Sequence, residues 1–410
     1  MIITSPKLLT LQYGIKPINN GAVVVSRGTI LVAGLANKII EQYPGHRVLR
    51  LENTVLLPGL VNLHTHLELP HMLDAIRATT FTAWVLNLIK AKRNLLHKNY
   101  AAAVRTNIRT LIHTGTTTVG EICTHGRSQA LLRKSGLRAK VFFEVITMSP
   151  SSPISFSPFL IEKGLVQFGI SPHTPYTVSE RVLLELKLKS YGTPATLAMH
   201  MAESKDEIRL LQGKKSGLAE LYHLAGWDLS WAPSAVSSFE YLQRIGLLSP
   251  GLLAIHAVQV TNNDIAIIRK SKVSIAHCPR SNKETGVGRM PLNKFLIAGI
   301  TVGLGTDSLA SSPSLSMWDE MRYAYQIHRR NGVTAEDIFR LATINGAKAL
   351  GLDKEIGSLE PGKKADIIAV PLPRKNTGDL YSDLLRETKS CIMTMVNGKI
   401  LHPRNPREKR

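Results

Sequence analysis

Cysteine is scarce in this chain, and its scarcity limits the kinds of site that the protein can build. The 410 residues include three cysteines, Cys123, Cys278 and Cys391, and no two of them form a C-x-x-C pair. This spacing argues against a disulfide framework and against a zinc site made of thiolates. We expect Cys278 to behave as a small buried apolar residue.

Long apolar runs are missing as well. No stretch approaches the roughly 18 uninterrupted apolar residues that a membrane-spanning helix needs. The first residues, MIITSPKLLTLQYG, lack the basic, apolar and small-residue segments of a signal peptide. We therefore expect a cytoplasmic protein with no membrane partner.

Aromatic residues make up 6% of the chain, whereas the formal net charge reaches +21. Such a charge fits a nucleic-acid-binding protein or an enzyme that acts on anionic substrates. Aromatic and basic residues are not interleaved in a stripe, however, and this argues against a groove for single-stranded nucleic acid. We expect the charge to be scattered over the surface and concentrated in the tail HPRNPREKR, with no nucleic-acid partner.

The order of the apolar runs predicts the fold. Residues 1–56 alternate short β-rich runs with turns, and residues 357–410 return to that pattern. Between them, eight apolar strand-like runs alternate with helical patterns, which is typical of a (β/α)8 TIM barrel rather than a doubly wound sheet. We predict an α/β fold with a barrel over residues 57–356 and a small composite β-sandwich domain formed by both chain ends, 1–56 and 357–410.

The motif HTH ends the first strand of the predicted barrel. Residues two apart on a strand face the same side, so His64 and His66 both point into the barrel. Two imidazoles placed in this way can bind one metal ion at roughly 2.1 Å. An H-x-H pair alone is a weak signal, because a histidine on an apolar strand often has a structural role.

Polar residues recur where the later strand-like runs end. His200 ends PATLAMH with Glu203 three residues further on, His256 ends LLAIH, His277 ends VSIAH, and Asp307 follows VGLGT. The C-terminal ends of barrel strands meet on the face where barrel enzymes build their active sites. This repeated placement favours a metal site over a chance cluster of histidines.

Six segments spread along almost the whole chain carry a family resemblance. They are PGLVNLHTHLEL, SPHTPYTVS, HMAES, HCPRSN, GTDSLASSPSLSMWDEM and IGSLEPGKKADIIAV. Together they resemble the amidohydrolase superfamily, and within it the cytosine deaminase-like, or chlorohydrolase-type, branch. The resemblance implies a metal-dependent hydrolase with a barrel and a composite β-sandwich, in agreement with the order of the apolar runs.

The resemblance also implies a ligand set for the metal. In that family the two histidines of H-x-H, a histidine from the fifth strand and an aspartate from the eighth bind one divalent ion. The motifs place these ligands at His64, His66, His200 and Asp307. The fourth strand ends in SPHTP without the lysine that bridges two metals in binuclear relatives, so one metal is expected. Three imidazoles and one carboxylate suit Zn²⁺ and Fe²⁺ alike.

Three residues are expected to carry the chemistry. A divalent metal lowers the pKa of water, and the resemblance makes Asp307 the group that accepts a proton from this water. Glu203 is expected to move that proton to the ring nitrogen beside the attacked carbon and then to help ammonia leave. His256 is expected to hydrogen-bond to the attacking water.

Four further residues are candidates for binding the substrate. The resemblance makes His173, in SPHTPYTVS, and His277, in HCPRSN, contacts of the substrate. Arg280 is a candidate partner for an anionic substrate group, because its planar guanidinium suits a carboxylate, and a structural salt bridge is the alternative. Glu68, two residues after His66, belongs to an H-x-H-L-E form that hints at the substrate.

The expected reaction is a deamination. Retention of Glu203 favours ammonia as leaving group, because chloride would leave without a proton. The H-x-H-L-E form and the segment TTFTAWVLNLI resemble aminofutalosine deaminases of menaquinone biosynthesis. The first expected substrate is therefore aminofutalosine (6-amino-6-deoxyfutalosine). S-adenosylhomocysteine, methylthioadenosine or adenosine, and a guanine-type or triazine substrate on the same site, are the alternatives.

Two functions from other classes are alternatives to an enzymatic function. The barrel could serve as a catalytically silent scaffold, but such relatives usually lose metal ligands and all four are present here. The positive charge could instead serve RNA binding, which a salt-sensitive titration would reveal. An extensive barrel surface is compatible with a homodimer.

Overall fold

A computed structural model describes residues 1–149, 164–190, 197–231 and 233–403. The predicted basic tail falls largely outside these residues, from position 404 onwards. Short strands dominate both ends of the chain, and strands alternate with helices between them. The strands are β1 (Ile2–Leu8), β2 (Ile18–Ser26), β3 (Thr29–Leu35), β4 (Val48–Arg50), β5 (Thr54–Pro58), β6 (Leu60–Thr65), β7 (Thr116–Cys123), β8 (Arg138–Val145), β9 (Val166–Pro172), β10 (Leu197–Met201), β11 (Leu252–His256), β12 (Ser274–His277), β13 (Val302–Leu304), β14 (Ile367–Pro371), β15 (Met393–Val396) and β16 (Lys399–His402).

The helices lie mainly between the strands of the central part of the chain. They are α1 (Ala36–Gln42), α2 (Leu73–Ile76), α3 (Phe81–Arg93), α4 (His97–His113), α5 (Ser128–Ser135), α6 (Glu180–Ser190), α7 (Lys205–Leu211), α8 (Ala219–Ala225), α9 (Ser238–Arg244), α10 (Asn262–Ser271), α11 (Pro279–Glu284), α12 (Leu292–Ile297), α13 (Met317–His328), α14 (Ala335–Leu341), α15 (Ile344–Ala349) and α16 (Leu380–Glu387). None of the helices in the described ranges is long and apolar enough to span a membrane.

Strands β6 to β13 form the predicted barrel. They pair in chain order, each parallel to the next. A bridge between Thr65 and Asp307 joins the first strand to the segment after the last one, and the amide of Asp307 donates to the carbonyl oxygen of His64 over 2.9 Å. The ring of strands thus closes at predicted metal ligands. The α/β fold predicted from the sequence, a (β/α)8 barrel beside a β-sheet domain, is confirmed.

The strands from the two chain ends share a second sheet. Its order is β16-β15-β14-β5-β1-β2-β3, with β4 added beside β1. Strand β5 holds the ends together, because it runs parallel to β1 and antiparallel to β14. Buried residues from both ends fill its core, among them Ile3, Val23, Ile367 and Met395. The exact boundaries 1–56, 57–356 and 357–410 stay a prediction, as do the homodimer and the cytoplasmic location.

Burial explains why the barrel strands could be predicted from the sequence. Every residue of β6, β7, β10, β11, β12 and β13 is buried. Parallel strands covered by helices are buried on both faces, so they appear as continuous apolar runs. The helices that follow begin at side-chain caps: Ser204 accepts from the amide of Glu207 before α7, and Thr261 accepts from the amide of Asp264 before α10. These caps fix where each chain segment turns away from the strand ends.

Candidate active site

Six predicted side chains meet at the C-terminal ends of four barrel strands. His64 lies in β6 and His66 directly follows it, His200 and Glu203 come from β10 and the turn after it, His256 from β11, and Asp307 from the segment after β13. Nε2 of His64 lies 3.3 Å from Oδ1 of Asp307, and Nε2 of His66 lies 3.7 Å from the same oxygen. Nε2 of His66 also lies 3.4 Å from Nε2 of His200.

The arrangement fits a metal ion. Ligand atoms of His64, His66 and Asp307 lie within 4.8 Å of one another, as do those of His64, His200 and His256. Both ring nitrogens of His64 are buried and lack a hydrogen-bond partner among the residues that the structure describes. An unpartnered buried imidazole carries a desolvation cost, which binding to a metal removes. Imidazole nitrogens with a carboxylate are a usual ligand set for a divalent ion.

The protonation state of the histidines also suits metal binding. Burial lowers the pKa of His66 to about 4 and holds that of His200 well below its ordinary value, so both rings are neutral. Nδ1 of His200 donates to the carbonyl oxygen of His173 over 3.0 Å, because a carbonyl can only accept. This contact leaves the lone pair of Nε2 free on the side of the cluster.

Asp307 is held as a carboxylate by its surroundings. Its Oδ1 accepts from the amide of Ser308 over 2.7 Å, and its Oδ2 accepts from the hydroxyls of Ser281 (2.6 Å) and Ser311 (2.8 Å). Burial alone would raise the pKa of this carboxyl, but the imidazole of His64, 3.3 Å away, holds the pKa well below its ordinary value. Asp307 is thus ionised, and three donors fix its orientation.

Glu203 and His256 face each other beside the cluster. Oε1 of Glu203 lies 3.5 Å from Nε2 of His256. Burial raises the pKa of Glu203 well above its ordinary value, and the charges of Asp307 and Glu207 add to this effect. Nδ1 of His256 lies 2.9 Å from Oδ1 of Asn282, which can only accept, so Nε2 of His256 is left without a proton.

The backbone is strained where these side chains leave their strands. Ala202, His256, Ala257 and Asp307 have positive φ values of 50°, 77°, 47° and 61°. Residues other than glycine rarely adopt this region, and such strain concentrates at functional sites. The carboxylate of Glu207 supports the turn after β10, since it accepts hydrogen bonds from the amides of Ala202 (2.7 Å) and Glu203 (2.8 Å).

The cluster forms the floor of a cavity of about 380 Å³. Its outer walls come mainly from α3 and from the region of α8. On the α3 side the lining residues are Phe81, Trp84, Val85, Leu88, Ile89, Lys92 and Arg93. On the α8 side they are Leu221, Leu224, Ala225 and Trp227. The cavity therefore combines a polar floor with largely apolar walls, which is typical of a small-molecule site.

Two of the predicted substrate-binding residues line this cavity. His173 lies beside His200, and its Nδ1 is 2.8 Å from the hydroxyl of Thr177. Glu68 accepts four backbone amides of the loop after β7, at positions 124, 125, 127 and 128. Its carboxylate therefore orders that loop. Direct contacts of His173 and Glu68 with a substrate stay predictions.

The other two predicted substrate-binding residues lie outside the main cavity. His277 is fully buried, and its Nε2 is 3.1 Å from Nε2 of His328. It lines a separate cavity of about 310 Å³. The guanidinium of Arg280 donates to the hydroxyl of Ser314 over 2.9 Å and lies 3.7 Å from Asp319. The alternative stated for Arg280, a structural contact, fits this geometry, and neither residue is brought to the cluster.

Three further polar residues near the site were not predicted from the sequence: Glu144, Lys92 and Asn282. Glu144 lies in the cavity wall near the end of β8, where Oε2 accepts from the hydroxyl of Thr124 over 2.7 Å. Burial opposes its ionisation, but His173, His66 and Lys92 bring its pKa below the ordinary value. Glu144 follows the apolar run AKVFF, so its strand-end position was an available signal. Lys92 and Asn282 sit on helices, where the strand-end criterion gives no signal.

Comparisons with known proteins find matches over most of the chain. The model of the amidohydrolase family matches residues 55–401 of the chain. A 5-methylthioadenosine/S-adenosylhomocysteine deaminase from Moorella thermoacetica is 28% identical in sequence, over 94% of this chain and 91% of the relative.

Two solved structures share the fold. The aminofutalosine deaminase of Helicobacter pylori in complex with methylthio-coformycin superposes with a TM-score of 0.87 at 22% identity, over 97% of this chain and 99% of the other. An adenosine deaminase from Xanthomonas campestris with bound zinc superposes with a TM-score of 0.83 at 23% identity, over 97% of this chain and 92% of the other. At these identities the likeness shows the fold.

Proposed function

The chain belongs to the amidohydrolase family and is a hydrolase of carbon–nitrogen bonds, and we propose that it deaminates an adenosine-type nucleoside with the help of one divalent metal. The observation that carries this proposal is the position of Glu203. Its carboxyl group has a raised pKa and stands at the floor of the cavity, beside the cluster of His64, His66, His200 and Asp307. A protonated acid at this place suits a leaving group that must receive a proton.

We assign the metal to His64, His66, His200 and Asp307, with Zn²⁺ as the proposed ion and Fe²⁺ as the alternative. The zinc in the related Xanthomonas structure supports this choice. The bound ion would lower the pKa of water and so make a nucleophile available near neutral pH. The assignment of His256 to the water rather than to the metal is part of the same proposal.

The chain's own residues then account for the proton transfers. Nε2 of His256 has no proton, so it can accept a hydrogen bond from the attacking water. The ionised Asp307 accepts one proton of this water as its oxygen adds to the ring carbon. Glu203 gives its proton to the adjacent ring nitrogen, then takes the proton of the added hydroxyl and delivers it to the amino group. The proton that Asp307 accepted returns to Glu203, so both carboxyl groups recover their starting states. The carbon–nitrogen bond breaks, ammonia leaves, and a ring carbonyl remains.

The cavity supports a nucleoside as substrate. A volume of about 380 Å³ lies within the range of small-molecule sites and exceeds what a bare heterocycle needs. Glu144 presents a carboxylate to this space, and a carboxylate accepts hydrogen bonds from neighbouring hydroxyls of a ribose. We propose that Glu203 faces the ring and Glu144 faces the sugar.

Among adenosine-type nucleosides we propose aminofutalosine first, which would place the protein in menaquinone biosynthesis. The H-x-H-L-E form and the likeness to the Helicobacter pylori enzyme support this choice. S-adenosylhomocysteine and methylthioadenosine come second, supported by the name of the Moorella relative. A guanine-type or triazine substrate is the remaining alternative.

The proposal is tested by an ammonia-release screen of the zinc-loaded protein against aminofutalosine, methylthioadenosine, S-adenosylhomocysteine, adenosine, guanine and a chlorotriazine. We expect ammonia from at least one adenosine-type nucleoside and a matching change in the ultraviolet spectrum of the purine. Release of chloride from the triazine with no ammonia from any nucleoside would refute the proposed reaction. Glu203→Gln serves as the inactive control, and Glu220→Gln as the matched active one.

A further inference from the structure

We infer that Glu121, a buried residue of β7, is a positioning residue that holds His66 in place for metal binding. It acts through the two residues that flank His66 in the chain, Thr65 and Leu67. This inference rests on the proposed metal site and names a residue outside the ligand set on which that site depends. Glu121 is not among the residues that line the cavity, so it contacts neither the substrate nor the reacting atoms.

The ring of His66 has little support of its own. His200 donates from Nδ1 to a carbonyl oxygen, and Asp307 accepts from three donors. Within the described part of the chain, the ring of His66 makes polar contacts only with these two ligands, through Nε2. His64 lies inside β6 and is fully buried, whereas His66 follows the strand and keeps 15% of its side chain exposed. The placement of His66 therefore depends on how the backbone around it is held.

Glu121 supplies hydrogen bonds where the strand pairing becomes irregular. The pairing of β6 with β7 shifts register between Asn62 and Thr65. Beyond this shift, Oε2 of Glu121 lies 2.7 Å from the hydroxyl of Thr65, and the amide of Leu67 donates to Oε2 (2.9 Å) and Oε1 (3.1 Å). One carboxyl group therefore holds both neighbours of His66.

A second buried side chain completes the support on one side only. Nδ2 of Asn107 in α4 donates to the carbonyl oxygens of Leu67 (2.9 Å) and Leu69 (3.2 Å). Both backbone polar groups of Leu67 are thus bound by side chains. Residues that orient a metal ligand usually bond to the ligand itself. For His66 the same task falls to bonds with the backbone before and after it, and Glu121 contacts both sides.

The hydrogen bonds indicate that Glu121 acts as a neutral acid. The hydroxyl of Thr65 also lies 3.1 Å from the carbonyl oxygen of Gly120, which can only accept. A hydroxyl has one proton, so if Thr65 donates to Gly120, the proton between Thr65 and Glu121 comes from the carboxyl group. Burial agrees, since it raises the pKa of Glu121 well above its ordinary value, although the contacts with Leu67 and Thr65 partly offset this. A glutamine amide can donate and accept in the same places.

The test measures zinc affinity by competition with a chromophoric chelator, starting from metal-free protein. We expect Glu121→Leu to weaken zinc binding about 10- to 100-fold, the usual weight of a residue that orients a metal ligand. Glu121→Gln should stay within a factor of about three of the wild type, because it keeps both hydrogen bonds. The visible spectrum of the Co²⁺-loaded protein should change in Glu121→Leu and match the wild type in Glu121→Gln.

A matched variant separates positioning from general stability. Glu320 is equally buried, also has a raised pKa and lies on α13, away from His66. Glu320→Leu should keep the zinc affinity of the wild type, whatever it does to urea denaturation of the metal-free protein. Equal losses of zinc affinity in Glu121→Leu and Glu320→Leu would show that any buried carboxyl has this effect, and the inference would be wrong.

A double-mutant cycle tests whether the effect passes through His66. In a His66→Ala background, Glu121→Leu should cause no further loss of zinc affinity, because the ring that it positions is gone. The same loss in both backgrounds, or wild-type affinity in Glu121→Leu, would overturn the inference and leave the proposed deaminase untouched. If zinc binding depends on Glu121 and His66 but no nucleoside releases ammonia, the inference stands and the reaction is wrong. If His66→Ala binds zinc as the wild type does, the metal assignment and the inference both fail.

Discussion

Two regions of the barrel rim look alike in the sequence and differ in the structure. The cluster at β6, β10, β11 and β13 contains His64, His200 and Asp307, while the patch at β12, α11 and α13 contains His277 and Arg280. In the patch the polar groups bind one another, through the pair of His277 and His328 and through the contacts of Arg280 with its neighbours. In the cluster, both ring nitrogens of His64 lack a hydrogen-bond partner among the described residues, and the other side chains face a cavity.

The difference shows what identifies a site. A polar residue at a strand end is a weak signal, because the protein can satisfy it internally. A set of such residues whose free atoms converge on one space is a strong signal, since leaving them unpaired would otherwise cost free energy. The two regions therefore predict different responses to substitution.

The largest expected effect belongs to Glu203→Gln. Loss of a general acid and base should lower kcat about 10²- to 10⁴-fold on the best nucleoside, with metal content unchanged. The measurement is steady-state ammonia release together with metal analysis of the purified variant. In the patch, Glu320→Gln is the matched change of a buried carboxyl and should keep near wild-type kcat. Near-full activity of Glu203→Gln would remove this residue from the mechanism.

Asn282→Ala should give the next largest effect. Asn282 fixes the proton of His256 on Nδ1, so its removal lets the ring change tautomer or rotate. Groups that orient a catalytic imidazole are worth about 10- to 100-fold in activity. We expect the loss in kcat, with KM within a factor of about two. Asn331→Ala on the exposed surface is the control, and a loss confined to KM would contradict the orienting role.

Glu144→Gln should act on binding. If the carboxylate accepts hydrogen bonds from ribose hydroxyls, the variant should raise KM for nucleosides about tenfold, the usual weight of one charged hydrogen bond. Activity toward the corresponding 2′,3′-dideoxynucleoside should change little, because that substrate lacks the hydroxyls. Equal losses on both substrates would show that Glu144 acts through the structure of the wall.

The patch predicts an effect of pH on stability. Burial raises the pKa of Glu320 to about 8 in the folded protein, whereas an unfolded glutamate loses its proton near 4.5. Between these two pH values the glutamate is ionised in the unfolded state but still protonated in the folded state. Each rise in pH therefore stabilises the unfolded state, and the free energy of unfolding falls as pH rises from about 4.5 to 8. Glu320→Gln lacks the titration, and its stability relative to the wild type should rise by on the order of 2 kcal/mol between pH 5 and pH 8. Parallel pH profiles from urea denaturation of both proteins would contradict it.

Arg280→Met should have the smallest effect. Its guanidinium is bound to Ser314 and Asp319, outside the cavity. We expect an unchanged KM for a nucleoside that carries a carboxylate, and a loss of stability of about 0.2–1 kcal/mol, as for a partly exposed ion pair. A clear rise in KM would return Arg280 to the substrate site and weaken the contrast between the two regions.

The sequence revealed the floor of the site better than its walls. The period of two within HTH and the position of His200, His256 and Asp307 after apolar runs are local patterns, and parallel strands convert them directly into proximity. Lys92 and Trp84 lie on a helix whose docking on the cavity depends on tertiary packing. The structural roles of Glu68 and Arg280 depend on the partners they meet, such as the four amides around position 125. No local pattern encodes those partners.

The single-metal site is tested most directly by titrating metal-free protein with Zn²⁺ while ammonia release from the best nucleoside is measured. We predict that activity rises in proportion to added zinc and stops rising at one equivalent per chain. Asp307→Asn and His64→Ala should fail to bind that equivalent in equilibrium dialysis, whereas His277→Gln should bind it normally. Full activity in the metal-free protein, or a plateau at two equivalents, would contradict the assignment.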